Sequence, residues 1–285
     1  MSTKSAQPVL YHYCPTDSFF SIVEHKSIWL TSLSQSNDYM EGRLASQVTA
    51  RLAQRENLNT AQLKQVQDLI RQIEDSRDGL GFCLSEEPDL LSQWRGYASD
   101  GTGVSIGFST DYLNWLAESA NGKSSRLTLE KVVYDTASHD SLAEPAYQLA
   151  KQFYEELSNK PIRVDKSLWG DLQLILEMVP KLLTIETQQL FKALYLLKAE
   201  TFREELEWRL ISNRWNNFPK VCSYRLRNNM IAPYLSIELS ELNRIPIVEV
   251  ILGPKHQPPI NVVKQFLNHN GFGNVKVTQS ATTYR

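Results

Sequence analysis

Between Glu205 and Ile211 the chain reads Glu-Leu-Glu-Trp-Arg-Leu-Ile, an alternation with a period of two that marks a strand with two distinct faces. Leu206, Trp208 and Leu210 then point one way, while Glu205, Glu207 and Arg209 stand in one row on the other side. Neighbours in such a row lie roughly 6.5–7 Å apart, close enough for both acids to serve one small ligand. A solvated strand face gives the same pattern, so the rest of the chain has to decide between the two. Val9–Tyr13, 28–33, Leu80–Ser85, 103–108 and 127–134 also read as strands, and the last third adds 221–226, 233–239, 246–252 and 275–279. Helical spacing runs from Pro15 to His25, over 41–55, 60–75 and 111–119, from 142 to about 202 with breaks near Pro161 and Pro180, and over Pro258–His269, with Gly271 just beyond. A loop holding Gln93, Trp94 and Tyr97 is expected between the third and fourth strands, where Gly96, Gly101 and Gly103 permit tight turns and close approach to a ligand. We read residues 1–285 as a single α+β domain with helical insertions at about 43–78 and 140–202.

Composition narrows the function. Thirty Lys and Arg against 32 Asp and Glu leave a formal charge of −2, so no global field draws the protein to nucleic acid or anionic lipid, although a local basic patch remains open. Met1–Pro8 is polar and lacks the apolar core of a signal peptide, and no stretch approaches the roughly 18–20 apolar residues that span a bilayer. Cys14, Cys83 and Cys222 are odd in number and widely spaced, which suits reduced thiols in a cytoplasm. His12, His25, His139, His256 and His269 form no His-x-x-x-His pair, so no structural metal is expected.

Several residues could carry chemistry, each with a plainer alternative. His12 sits mid-strand between Tyr11 and Tyr13 and shares its face with Leu10, where a histidine satisfied by a backbone partner is common. Trp94 and Tyr97 could stack on a flat ring or belong to the core. Asn37, Asp38 and Glu41 suit an Asx turn and a helix start, and Gly253-Pro254-Lys255-His256 precedes a helix N-terminus that could receive a phosphate.

The segments LYHYCPTDSFFSIVEHKSIWLTSLSQSNDYMEG, FCLSEEPDLLSQWRGYASDGTGVSIGF, FREELEWRLI and VTQSATTYR, in that order, resemble the bacterial domain-of-unknown-function family 2971. A looser resemblance joins the tyrosine-flanked His12 strand, the helix after it and the next strand to ADP-ribosyltransferase-type domains. That resemblance implies a split, mostly antiparallel central sheet and a nucleotide, NAD, as substrate. It puts His12 beside Tyr13 on the adenosine-side ribose, Trp94 or Tyr97 on nicotinamide, and Glu207 with Glu205 on the other ribose. Ser85 stands nearest to the Ser-x-Ser of such domains, and Cys14 replaces a common Thr. Arg209 would keep Glu207 ionised, and no metal is required. On this reading His12, Tyr97 and Glu207 should line one cleft. The implied protein is an NAD-binding ADP-ribosyltransferase or NAD glycohydrolase acting on a macromolecular acceptor, in bacterial defence or stress. Two other classes stand beside it: a metal-dependent phosphodiesterase or nuclease using Asp38, Glu41, Glu205 and Glu207, and a non-catalytic protein-recognition module.

Overall fold

The structure is a computed structural model, and it describes residues 8–35, 43–56, 58–60, 62–64, 67–68, 70–71, 79–120, 127–159, 194–212, 222–227, 229–239 and 244–284. The chain divides into two compact units. The first, Met1–Ser32 with Gly79–Val132 and Phe202–Arg285, holds the sheet; the second, Leu33–Asp78 with Val133–Thr201, takes in the stretches read as helical insertions.

In the first unit the strands are β1 (Val9–Cys14), β2 (Ser27–Ser32), β3 (Leu80–Ser85), β4 (Val104–Ser109), β5 (Leu127–Lys131), β6 (Glu207–Ser212), β7 (Ser223–Arg227), β8 (Met230–Glu238), β9 (Ile247–Leu252) and β10 (Lys276–Gln279). They form one ten-stranded sheet in the order β10-β9-β4-β1-β3-β2-β8-β7, with β6 and β5 off this path. Pairing is antiparallel except between β10 and β9. The sheet forks at β3. One edge of β3 pairs along its whole length with β6, from Leu80↔Ser212 to Ser85↔Glu207, while its other edge is shared, β2 meeting Gly81 and Leu80 and β1 meeting Ser85.

Alternation in the strands sorts the two faces. Leu10, Phe82, Leu84, Ile106, Phe108, Leu210 and Val250 point into the main apolar core, which is completed by Phe19, Ile22 and Val23 of α1 (Thr16–His25). In their chain order α4 (Thr110–Ala120) and α6 (Ile260–His269) also contribute, through Tyr112, Leu113, Val263 and Leu267. On the opposite face Tyr11, Tyr13 and Ile251 pack with Trp94 of α3 (Leu91–Tyr97) and with Ala98. The segment expected as a loop around Trp94 is therefore a short helix, because Trp94 has a buried aromatic surface to cover.

The glycines beyond α3 serve the chain itself. A Cβ on Gly103 would strike the carbonyl oxygen of Cys14, and one on Gly253 would strike that of Gly101. Both glycines thus permit backbone to approach backbone rather than a ligand. Strand β8 begins at Met230 rather than Pro233, because Asn229 takes φ 62° and closes a hairpin from β7, a conformation that asparagine tolerates.

The second unit holds α2 (Leu44–Arg55) and α5 (Thr136–Asn159). Arg51 and Arg55 of α2 both pair with Asp140 of α5, and Glu56 receives Tyr147 and Lys151. The predicted helix 60–75 is described only in part, and the breaks at Pro161 and Pro180 lie outside the described residues. Among the described residues no helix is long and apolar enough to cross a membrane.

Candidate functional site

The charged row of β6 is not a wet strand face. Glu207 and Arg209 lie on the face of Tyr11 and Ser85, since Ser85 pairs with both Tyr11 and Glu207. Arg209 donates Nε–H to Glu207 Oε1 at 2.7 Å and Nη2–H to Oε2 at 2.8 Å, a bidentate fork between side chains only 1% and 7% exposed. Glu130 of β5 stands directly across from Arg209. Trp208 and Leu210 take the other face, where Leu210 enters the main core and Trp208 packs against it while donating to Glu86 at 2.7 Å.

Glu205 is in the row but not in the strand. It ends a 3-10 turn, Glu200–Glu205, and Leu206 follows with φ 41°, a left-handed conformation that a branched side chain rarely adopts. The turn is pinned from β3: Ser85 Oγ donates to the Glu205 carbonyl at 2.7 Å, and the Glu86 N–H donates to the Leu206 carbonyl at 3.1 Å. The Glu205 carboxylate then receives the Tyr97 hydroxyl at 3.2 Å, which joins α3 to the acidic row.

Tyr97 is half-buried, while Trp94 is wholly enclosed. Its indole meets Tyr13 edge-on at 4.9 Å and donates to Asp89 at 2.6 Å. Enclosure leaves Trp94 no face for a nicotinamide ring, so of the two stacking candidates only Tyr97 has surface to offer. Tyr13 is likewise committed: its hydroxyl donates to the Glu87 carbonyl at 2.7 Å and accepts the Leu90 N–H at 2.9 Å, and burial pushes its pKa up. Ser85 both donates to Glu205 and accepts the Glu87 N–H at 3.0 Å, so its hydroxyl ties the chain together.

His12 does not join these residues. It pairs with Ile106 and shares the core face with Leu10, opposite to the face of Tyr97 and Glu207, and it stacks on Phe82 with ring centroids 4.0 Å apart. Burial lowers its pKa to about 4, and a hydrogen bond from Nδ1 to the Cys83 carbonyl at 2.8 Å only partly opposes this. The ring is therefore neutral at pH 7 with Nδ1 as donor. The expected single cleft of His12, Tyr97 and Glu207 does not form, because odd and even positions of β1 face opposite ways.

Sequence reasoning passed over Asp89. Its carboxylate accepts Trp94 Nε1, Ser280 Oγ at 2.5 Å, the Ala281 N–H at 2.7 Å and Thr282 Oγ1 at 3.2 Å, tying α3 to the C-terminal segment. Burial alone would raise its pKa, yet these donors bring it below the usual carboxylate range. Asp100 similarly joins Lys255 at 2.8 Å and Tyr284 at 2.7 Å. In the sequence, both acids lie in FCLSEEPDLLSQWRGYASDGTGVSIGF and Ser280–Tyr284 in VTQSATTYR, two of the segments that carry the resemblance to family 2971. Backbone N–H groups of Gly253, Lys255 and His256 are spent on carbonyls of Gly103, Gly101 and Gly253, which leaves that loop unsuited to a phosphate. Asp38 and Glu41 lie outside the described residues, and among the described ones no three His, Cys, Asp or Glu are grouped so as to hold a metal ion.

The residues the geometry brings together, Trp94, Tyr97, Glu205, Glu207 and Arg209, all fall within one stretch of chain. Residues 93–210 match the family described as a protein of unknown function, DUF2971. The match bears out the resemblance to that family over this stretch, from α3 to Leu210 in β6. His12, Tyr13, Ser85 and Asp89 stand outside the region matched to DUF2971. No curated protein and no solved structure matches the chain.

Proposed function

We propose that the protein binds NAD against Tyr97 and breaks the nicotinamide–ribose bond, passing ADP-ribose to an acceptor or to water. The observation that carries this reading is the Tyr97–Glu205 hydrogen bond, set beside a second carboxylate, Glu207, which is paired with Arg209. An aromatic ring, a carboxylate and a fixed charge are what this bond cleavage uses. The electron pair of the ribose C1′–N bond leaves with the nicotinamide nitrogen, whose positive charge it neutralises, and the sugar becomes cationic. An acceptor oxygen then bonds to C1′ and loses its proton. A carboxylate near C1′ stabilises that cation more than it stabilises the ground state.

The roles read from the sequence are exchanged in this proposal. Both Glu207 oxygens already accept N–H groups of Arg209, so Glu207 acts as the fixed partner and Glu205, held by a half-buried phenol, faces the ribose. His12 and Trp94 have no part in binding. Glu205→Gln keeps an acceptor for Tyr97 and removes the charge, so nicotinamide release should fall by roughly 10²–10³ while the fold is retained. Chelators should leave wild-type release unchanged, and NAD should raise the melting temperature by mass action. A wild type that neither releases nicotinamide nor gains stability from saturating NAD would overturn the proposal; one stabilised by magnesium alone would point to the phosphodiesterase class.

A further inference from the structure

Helix α3, which carries Tyr97, is held at both ends by one short segment of chain. Asp89 lies two residues before α3 and Asp100 three residues after it. The Asp89 carboxylate accepts Ser280 Oγ at 2.5 Å, the Ala281 N–H at 2.7 Å and Thr282 Oγ1 at 3.2 Å. Asp100 Oδ1 accepts the Tyr284 hydroxyl at 2.7 Å, and the centre of the Tyr284 ring lies 5.9 Å from the Arg95 guanidinium of α3 and 3.9 Å from the Lys255 ammonium. Ser280–Tyr284 is itself rooted in the sheet. The Ser280 N–H donates to the Leu252 carbonyl at the end of β9 at 2.8 Å, and the side chain of Gln279, the last residue of β10, donates to the Gly253 carbonyl at 2.6 Å. The segment thus spans α3 as a strap fixed to β9 and β10.

The chain that the strap holds is strained. Ser99, Asp100 and Gly101 take φ of 48°, 54° and 84°, three left-handed residues in succession just beyond α3. Glycine adopts this conformation freely, whereas Ser99 and Asp100 carry a Cβ and keep it only against a steric cost. We infer that Ser280–Tyr284 is the element that sets Tyr97, with Asp89 and Asp100 as the positioning residues through which it acts. Packing of Trp94 and Ala98 on Tyr13 and Ile251 keeps α3 on the sheet, but apolar contact has no direction, so the aim of Tyr97 falls to the hydrogen bonds at the two ends. Releasing the strap takes away three of the four donors that the Asp89 carboxylate has among the described residues, the fourth being Trp94 Nε1 of α3 itself. It also leaves Asp100 with Lys255 alone, and the turn after α3 is then free to relax towards the right-handed region. Either change moves the Tyr97 hydroxyl away from the Glu205 carboxylate that it now reaches at 3.2 Å. The catalytic consequence rests on the reading of Tyr97 and Glu205 as the groups that meet NAD; the hold on α3 does not.

The test removes the strap's hydroxyls from the full chain. Ser280→Ala with Thr282→Val deletes two donors to Asp89, and Tyr284→Phe deletes the one to Asp100 while keeping the ring. In the triple variant, hydrogen exchange read by mass spectrometry over residues 91–101 should quicken about tenfold or more, while β1, β3 and β4 exchange as in the wild type. Tyr284→Phe alone should give a smaller rise confined to the same residues. In the triple variant KM for NAD should rise and kcat for nicotinamide release should fall, each about three- to tenfold, because the ring and its hydroxyl lose their place together; a merely destabilised protein would lose active molecules at unchanged KM. Ser280→Thr with Thr282→Ser keeps every hydroxyl and should behave as the wild type. Unchanged exchange over 91–101 in the triple variant overturns the inference whether or not the protein turns NAD over. So does raised exchange with wild-type KM and kcat, or a Ser280→Thr, Thr282→Ser protein as impaired as the triple variant. A wild type that releases no nicotinamide overturns the NAD reading instead, and exchange over 91–101 then decides alone for or against the strap.

Discussion

The two faces of the sheet around β3 and β6 are both enclosed, yet they are held together by different means. On one, Phe82, Leu84 and Leu210 belong to a continuous apolar core in which each contact is worth little and the sum is large, and His12 stacks on Phe82. On the other, Ser85, Glu205, Glu207, Arg209 and Tyr97 are polar, and each is tied to a named partner. An apolar face tolerates the loss of one member in proportion to volume. A buried polar face does not, since removing one partner strands the other in a medium that cannot solvate it.

The largest effect should come from separating the ion pair. Arg209→Met leaves Glu207 buried with its bidentate partner removed and should cost roughly 3–5 kcal/mol of stability in urea unfolding. Adding Glu207→Gln to Arg209→Met should recover much of that loss, because neither member of the pair is then left buried with its charge unmatched. Phe82→Ala on the apolar face should also cost about 3–5 kcal/mol, but with no single second substitution to restore it. A double variant no more stable than Arg209→Met alone would show that the pair is not an energetic unit and would erase the contrast between the faces.

A pH effect distinguishes the faces from the other side. The His12 pKa is depressed in the folded protein to about 4, against an ordinary value near 6.5. A group with a depressed folded pKa contributes stability above its unfolded pKa and loses it as pH falls, so between about pH 6.5 and 4 the unfolded chain takes up a proton that the folded one refuses. That amounts to about 3 kcal/mol at most. His12→Phe should flatten this part of the stability–pH curve. An unchanged slope in His12→Phe would mean that the imidazole is solvated in the folded state.

Legibility from sequence followed the same division. The strands are readable because a period of two survives wherever one face is buried, and β1, β3 and the shared face of Leu10 and His12 all follow from it. The alternation in β6 separates Trp208 and Leu210 from Glu207 and Arg209, but it does not say that the charged side is as enclosed as the apolar one. Burial depends on what covers a face, and that comes from chain far away in sequence. The same limit explains Trp94, Tyr13 and Ser85: their residue types fit a ligand pocket, and their partners at Asp89, Leu90 and Glu205 use up the groups a ligand would need. Leu206, the second residue of the strand expected from Glu205, breaks it with a positive φ, and no propensity announces a left-handed leucine. The placement of His12 away from Glu207 was implicit in the parity of β1 and needed only the register of β3 to be fixed.

The smallest effect should be the one nearest the proposed chemistry. Tyr97→Phe keeps the ring and removes one hydroxyl, whose bond to Glu205 is long at 3.2 Å and only part-buried. Stability should therefore fall by no more than about 0.5–1.5 kcal/mol, the net worth of an ordinary hydrogen bond. The Glu205 backbone stays anchored through its carbonyl to Ser85, which keeps the turn before β6 in place. If Glu205 faces the ribose, the loss should appear in turnover rather than in affinity for NAD, because the phenyl ring can still stack while the carboxylate loses a group that aims it. A Tyr97→Phe protein that binds NAD as tightly as wild type but releases nicotinamide several-fold more slowly would support an aiming role for the hydroxyl. A fall in stability as large as that of Arg209→Met would instead make Tyr97 part of the buried polar framework, on the same footing as Ser85, and would take it out of the site.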